Sequence, residues 1–263
     1  MTTSQKNART ATLSQALAYL DSGLSIIPIL ADGSKRPAIK SWKKYQAELP
    51  TEAELRQWFS KPAGIGIICG PVSGGLAVFD FECVAAWKFF EKRAQEEGLE
   101  DLLEACPLIE TPGGGIHLYT CSPNPCGSGH KAHNPSMPSP KADSDLVAEV
   151  KATGGYVMAP GSPANAHKAG KEYTITRQGW FLEDKPALLP DGVLEQLLAI
   201  LKELDKGPKQ PARATPRTTL QTEDKPSVAA RYNSETKWEG PDGLLEPDGW
   251  TRTKGGSEDY PDK

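Results

Sequence analysis

Asp80 and Glu82 end an apolar run, Leu76-Ala77-Val78-Phe79-Asp80-Phe81-Glu82, that has the composition of a buried strand. Strand side chains alternate between faces, so positions 80 and 82 point the same way. Two carboxylates held together beside a core repel each other and resist desolvation unless a proton or cation compensates them. A divalent metal is the usual compensation where oxygen ligands dominate. The competing reading is an ordinary strand end whose acids are solvated.

Two further segments share this design. Thr111-Pro112-Gly113-Gly114-Gly115 precedes Ile116-His117. A glycine run lets backbone approach a ligand and offers N–H groups to anions, and His117 follows it on a candidate strand. A core histidine with satisfied hydrogen bonds is the plainer reading of His117 alone. Glu149 and Lys151 lie in the apolar stretch Val147-Ala148-Glu149-Val150-Lys151, ahead of Gly154-Gly155-Tyr156-Val157-Met158-Ala159-Pro160-Gly161-Ser162. An edge strand with one exposed face would also explain that pair. A separate cluster, Cys121, Cys126, His130 and His133, holds two thiols and two imidazoles between prolines and glycines. That inventory suits tetrahedral Zn2+, although the spacing departs from common fingers. A chance grouping in a loop fits it too.

The elements that must position these groups follow from periodicity. Leu13, Ala16, Leu17 and Leu20 share a helical stripe, and Leu24–Leu30 is a short strand. Thr51 with Glu54 opens a helix through Trp58 and Phe59 as a capping box. Ile65–Cys69 and Leu76–Glu82 are predicted as strands joined in a hairpin through residues 70–75. Ala85–Glu97 is an amphipathic helix, and Ile116–Thr120, Leu146–Val150, Tyr156–Ala159 and Tyr173–Thr176 are further strands. A helix over Leu194–Leu204 closes the folded part. Mixed helices and strands without strict alternation favour an α+β fold.

The composition bounds the rest. The chain has 263 residues, 38% of them hydrophobic, with 23 prolines and 25 glycines, so long irregular stretches are expected. The domains read as a disordered N-terminus over 1–12, a folded domain over 13–205, a Pro/Thr/Lys-rich linker over 206–230 and a tail without a convincing core over 231–263. A net charge of −4 argues against a nonspecific nucleic-acid coat, while leaving room for a local basic groove. No apolar run approaches the ~20 residues of a membrane span. The polar N-terminus and the odd count of 5 cysteines fit a cytoplasmic protein with reduced thiols. Cys69, Cys83 and Cys106 read as small buried hydrophobes.

Taken together, the segments resemble the N-terminal domain of bifunctional primase-polymerases, of the archaeo-eukaryotic primase superfamily. Asp80-x-Glu82 matches the family's acid pair, Gly115-Ile116-His117 its small-x-His motif, and Glu149 with residues 154–162 its third. Lys35-Arg36-Pro37 with Trp42 matches an early basic-proline-tryptophan signature. Glu82 and Glu149 stand where the family often has Asp, and Ile116 where it often has Arg. The resemblance implies a primase-like catalytic core with a mixed or antiparallel sheet, one half like an RNA-recognition motif, flanked by helices. It implies template-directed nucleotidyl transfer by a catalytic domain over 13–205, with Asp80, Glu82 and Glu149 as both catalytic residues and ligands to Mg2+ or Mn2+. His117 would hydrogen-bond the incoming triphosphate, assisted by Lys151, Ser162 and His167. Some relatives carry a zinc-binding stem in a similar insertion. The implied partners are a single-stranded DNA template, a primer strand, ribo- or deoxynucleoside triphosphates, and a helicase domain or subunit following a connector over 231–263 that contains Trp238 and Trp250. Replication of a phage, plasmid or mobile element is the implied setting. A non-catalytic replication-initiation module and a metal-dependent nuclease are the competing classes.

Overall fold

The computed structural model describes residues 3–138, 144–181 and 187–207, all within the unit Met1–Pro208. The expected linker over 206–230, beyond its first residues, and the connector over 231–263, with Trp238 and Trp250, lie outside the described residues. The fold is α+β, with two antiparallel sheets. Helix α1 runs Thr3–Asp21, starting upstream of the leucine stripe and taking in most of the segment expected to lack structure. Strands β1 (Ser25–Leu30), β2 (Ala63–Ile68) and β8 (Tyr156–Met158) form a three-stranded sheet in the order β1-β2-β8. Between β1 and β2, helix α2 (Glu52–Trp58) begins at Thr51, whose hydroxyl accepts from the Glu54 amide while the Glu54 carboxylate accepts from the Thr51 amide. The expected capping box is present.

The larger sheet holds β3 (Leu76–Phe81), β4 (Leu108–Glu110), β5 (Ile116–Cys121), β6 (Lys131–His133), β7 (Leu146–Lys151) and β9 (Thr174–Arg177). Their spatial order is β6-β7-β3-β5-β4-β9. Strand β3 is therefore central, and its alternation is legible in what each side chain touches. Leu76 and Val78 join a core with β1, β2, α1 and α2, while Ala77, Phe79 and Phe81 face the other core. That second core is closed by α3 (Val84–Glu96), α4 (Glu100–Glu104) and α5 (Val193–Leu204). Phe90 meets Phe79 and Phe81 there in tilted pairs, with ring centroids 5.3 and 5.0 Å apart. With both faces covered, the strand is apolar at nearly every position.

The hairpin expected across residues 70–75 does not form. Strand β2 belongs to the small sheet and β3 to the large one, so the connection carries the chain from sheet to sheet. An isolated bridge between Gly70 and Leu76 closes it. Gly75 turns the chain at φ +81°, and a Cβ there would run into the carbonyl of Ser122, whose amide donates to Gly75 O at 3.1 Å. Close passage of β3 beside the end of β5 demands glycine at this position. Strands β4 and β6 and helix α4, of only 3 to 5 residues each, are not among the expected elements, although β8 and β9, equally short, are.

Candidate active site

Register assembles the site. Asp80 pairs with Glu149 of β7 on one side and with His117 of β5 on the other. Directly opposed residues in antiparallel strands project from the same face, so the three side chains stand in one row. Glu82 follows just past β3, its amide held by the carbonyl of Val147 at 2.8 Å. Its offset of two residues from Asp80 returns it to that face. Asp80, Glu82 and Glu149 each offer a carboxylate oxygen within 4.8 Å of the other two. Among the described residues no other group of three or more acidic, histidine or cysteine side chains comes together in this way.

Around them is a cleft of about 670 Å³, bounded by segments of both sheets. Its floor holds the carboxylates and His117; its walls include Lys35, Trp42, Lys151, Tyr156, His167, Lys168 and Tyr173. Asp80 is the one position of β3 that is not fully buried. Burial pushes its pKa up, but the imidazole of His117, with Nε2 3.3 Å from Oδ1, outweighs this, helped by Lys35 and Lys151. The net result is a carboxyl held below its usual range, ionised and ready to ligate a cation. Nδ1 of His117 is buried and has no hydrogen-bond partner among the described residues. Lys151 lies two residues beyond Glu149, on the same face, and its ammonium contacts the Glu149 carboxylate. Above His117 the phenol of Tyr173 is pushed up by burial and then by Asp80 and Glu82. Ring centroids of Tyr173 and His117 are 5.8 Å apart.

His167 is buried on the far wall, where Nδ1 accepts the amide of Ala169 at 3.0 Å. Burial first, then the nearby charges of Lys35, Lys168 and His117, lowers its pKa to about 4. The ring is thus neutral at ordinary pH, and the accepting role of Nδ1 puts the proton on Nε2.

Three expectations about site residues need correction. Ser162 does not line the cleft. It is 2% exposed, and its Oγ accepts the amide of Ile65 at 2.8 Å while donating to the carbonyl of the same residue at 3.3 Å. The hydroxyl thus completes the edge of β2 where β8 has ended. Next, the glycine run before His117 is a tight β4–β5 turn more than an open anion nest. Thr111 accepts the amide of Gly114 on its carbonyl and that of Gly115 on its Oγ, at 2.9 and 3.0 Å. A Cβ at Gly115 would collide with the carbonyl oxygen of Phe81, so the glycine admits the backbone that carries Glu82. Finally, Cys121, Cys126, His130 and His133 do not converge. Cys121 is fully buried at the end of β5, and burial drives its thiol well above the usual range. His133 is on β6 and sets Nδ1 2.8 Å from Asp145. Two strands, β7 and β3, lie between β6 and β5 in the sheet, a span of roughly 14 Å at ordinary strand spacing. Tetrahedral zinc needs all its ligands within about 2.3 Å of one point.

Sequence reasoning passed over Lys168 and Tyr173 as site residues, although both face the cleft from the loop before β9. The partnership of Ser34 with His167 across an isolated bridge brings that loop to the site, and nothing local encodes such a contact.

Three clustered carboxylates beneath a cleft with cationic walls define a site suited to polyphosphate chemistry on a divalent metal. The sequence model of bifunctional DNA primase/polymerase N-terminal domains, Prim-Pol, matches residues 16–192, a range that holds every side chain named in the cleft. The chain belongs to that family. Membership implies primase/polymerase-type nucleotidyl transfer with DNA and nucleotide substrates. No curated protein matches the chain at a significant level. Among the described residues, no helix is long and apolar enough to cross a membrane.

Proposed function

We propose that the cleft is the centre of a template-directed DNA primase and polymerase working with Mg2+ or Mn2+ in the replication of a mobile genetic element, with the two sheets acting as a primase-like core. The observation that carries this reading is the cross-strand row of Asp80 and Glu149 with Glu82 beside it, three carboxylates sharing one 4.8 Å neighbourhood. All are hard oxygen donors, and no soft ligand is among them, which fits Mg2+ or Mn2+. When bound, a pair of such ions would supply charge neutralisation for the attacking hydroxyl and for the leaving pyrophosphate.

The chain's own groups divide the remaining work. His117 fixes the rotamer and charge of Asp80 from below. Lys151 contacts the carboxylate of Glu149 and holds its orientation. Lys35 and Lys168, on the wall opposite, offer positive charge to the β- and γ-phosphates of the nucleotide, and neutral His167 offers its Nε2–H. The primer hydroxyl gives up its proton to solvent as its oxygen bonds to the α-phosphorus and the bond to the bridging oxygen breaks, releasing pyrophosphate. A helicase joined through the segment after residue 205 would supply the unwinding that this domain lacks.

Extension of a primer on a single-stranded template tests the proposal. Asp80→Ala and Glu149→Ala should each lower incorporation at least about a hundredfold, since several kcal/mol of charge stabilisation is removed. Incorporation at the wild-type rate in either variant overturns the assignment. A wild-type chain that binds DNA yet consumes no triphosphate with either metal would instead be a non-catalytic replication module.

A further inference from the structure

On a chain of net charge −4, one loop is conspicuously basic. Between β1 and the 3-10 turn Lys44–Gln46 lie Lys35, Arg36, Lys40 and Lys43, all exposed, with Trp42 among them. Arg36 is partly balanced by Asp32 at 3.8 Å, and Lys44 by Glu54 at 3.5 Å. Lys40 and Lys43 meet no carboxylate at ion-pair distance among the described residues.

The start of the loop is anchored through its backbone. Tyr156 donates its hydroxyl to the carbonyl of Lys35 at 2.9 Å, and Ser34 bridges to His167. Lys35 itself takes the left-handed conformation, φ 60°. The Trp42 ring meets Tyr156 edge-on, centroids 5.3 Å apart at 75°, which leaves a face of the indole free of that partner. Trp42 is only half-buried and belongs to the wall of the cleft that holds the carboxylates. Lys40 and Lys43 flank it in sequence but stand outside the cleft.

We infer that this loop is the track on which one unpaired nucleic-acid strand enters the cleft, with phosphates on Lys40 and Lys43 and a base on Trp42. Exposed lysines on either side of a half-exposed ring in the chain match the recurring chemistry of single-strand binding, where the backbone follows positive charge and bases stack on aromatic faces. A duplex hides those base faces, so the ring selects a single strand. Calling that strand the template rests on the polymerase reading above; its binding to the loop does not.

The test is fluorescence anisotropy of a labelled single-stranded oligonucleotide, in EDTA, across a salt series. Lys40→Ala with Lys43→Ala should weaken binding about tenfold at low salt and flatten the log–log salt slope by about 1.4, the share of two phosphate contacts. Trp42→Ala should cost at least about fivefold on the single strand, and Trp42→Phe should recover most of it. On a duplex of the same sequence, Trp42→Ala should change nothing. Thermal melts check that each variant is folded, and Trp42→Phe covers the case in which Trp42→Ala is not. Unchanged affinity and slope in the lysine variant would overturn the inference, as would equal losses on single strand and duplex for Trp42→Ala. Metal is absent from this assay, so failure of the polymerase proposal would show in primer extension and leave these readings intact.

Discussion

Ser162 illustrates how a side chain can sit in a functional signature and serve the fold instead. Its hydroxyl links the two ends of one residue, Ile65 N and Ile65 O, at a buried point of β2 beyond the reach of β8. Ser162→Ala would leave the Ile65 amide without an acceptor in the interior. The expected cost is about 1–3 kcal/mol in chemical denaturation, with nucleotide incorporation per folded molecule retained. Loss of incorporation without loss of stability would return Ser162 to a substrate role. His117 and Glu149 are the opposite case. Read alone, His117 looks like a core residue and Glu149 like an exposed position of an edge strand, and each becomes part of a site only through pairing with Asp80. What the residues themselves announce is a common pattern, a polar group on an apolar strand near glycines. Lys168 carries no such mark, because its loop reaches the cleft through a bridge from His167 to Ser34.

Among elements, the decisive contact is between the β4–β5 turn and the chain leaving β3. Gly115 lies against the carbonyl of Phe81, within reach of Glu82. Gly115→Ala would push these backbones apart, at a cost of about 1–3 kcal/mol for the overpacking. Because Glu82 hangs on the displaced peptide while Asp80 is pinned between two strands, incorporation should fall by more than stability does. Parallel measurement of melting and of primer extension checks this. Equal incorporation per folded molecule would mean that the turn tolerates a methyl group. Long elements are legible from residue order alone, since α3 and α5 show a helical period and β3 reads as a continuous apolar run. The connection over 70–75 is not. Glycines between two apolar runs suggest a hairpin, yet that pattern is the same whether the strands pair or part company. Strand pairing makes the choice, because β5 and β7 occupy both edges of β3 and leave no place beside it for β2.

At the scale of the whole molecule, the cleft sets carboxylates on its floor among lysines on its walls, and folding holds them together. Asp80 already lies below its ordinary pKa, so its charge is favoured in the native state before any cation arrives. A divalent ion seated on Asp80, Glu82 and Glu149 would add to this, because the three meet only when β3 and β7 are paired. The unfolded chain scatters them and offers no comparable site. Selective binding to the native state raises stability by mass action, about 2.7 kcal/mol at a hundred times the dissociation constant. For a domain of this size that corresponds to a rise in melting temperature of about 5–10 °C. Saturating Mn2+ should therefore raise the melting temperature of the wild type, and Asp80→Asn should remove most of that rise while also lowering the metal-free value. The second effect follows from the sign of the Asp80 shift: replacing a carboxyl whose ionised form is stabilised forfeits that stabilisation above its unfolded pKa. Differential scanning calorimetry with and without Mn2+ reads both quantities at once, with no nucleotide or DNA present. Equal metal shifts in wild type and Asp80→Asn would place the cation elsewhere, and with it the chemistry assigned to this row of strands.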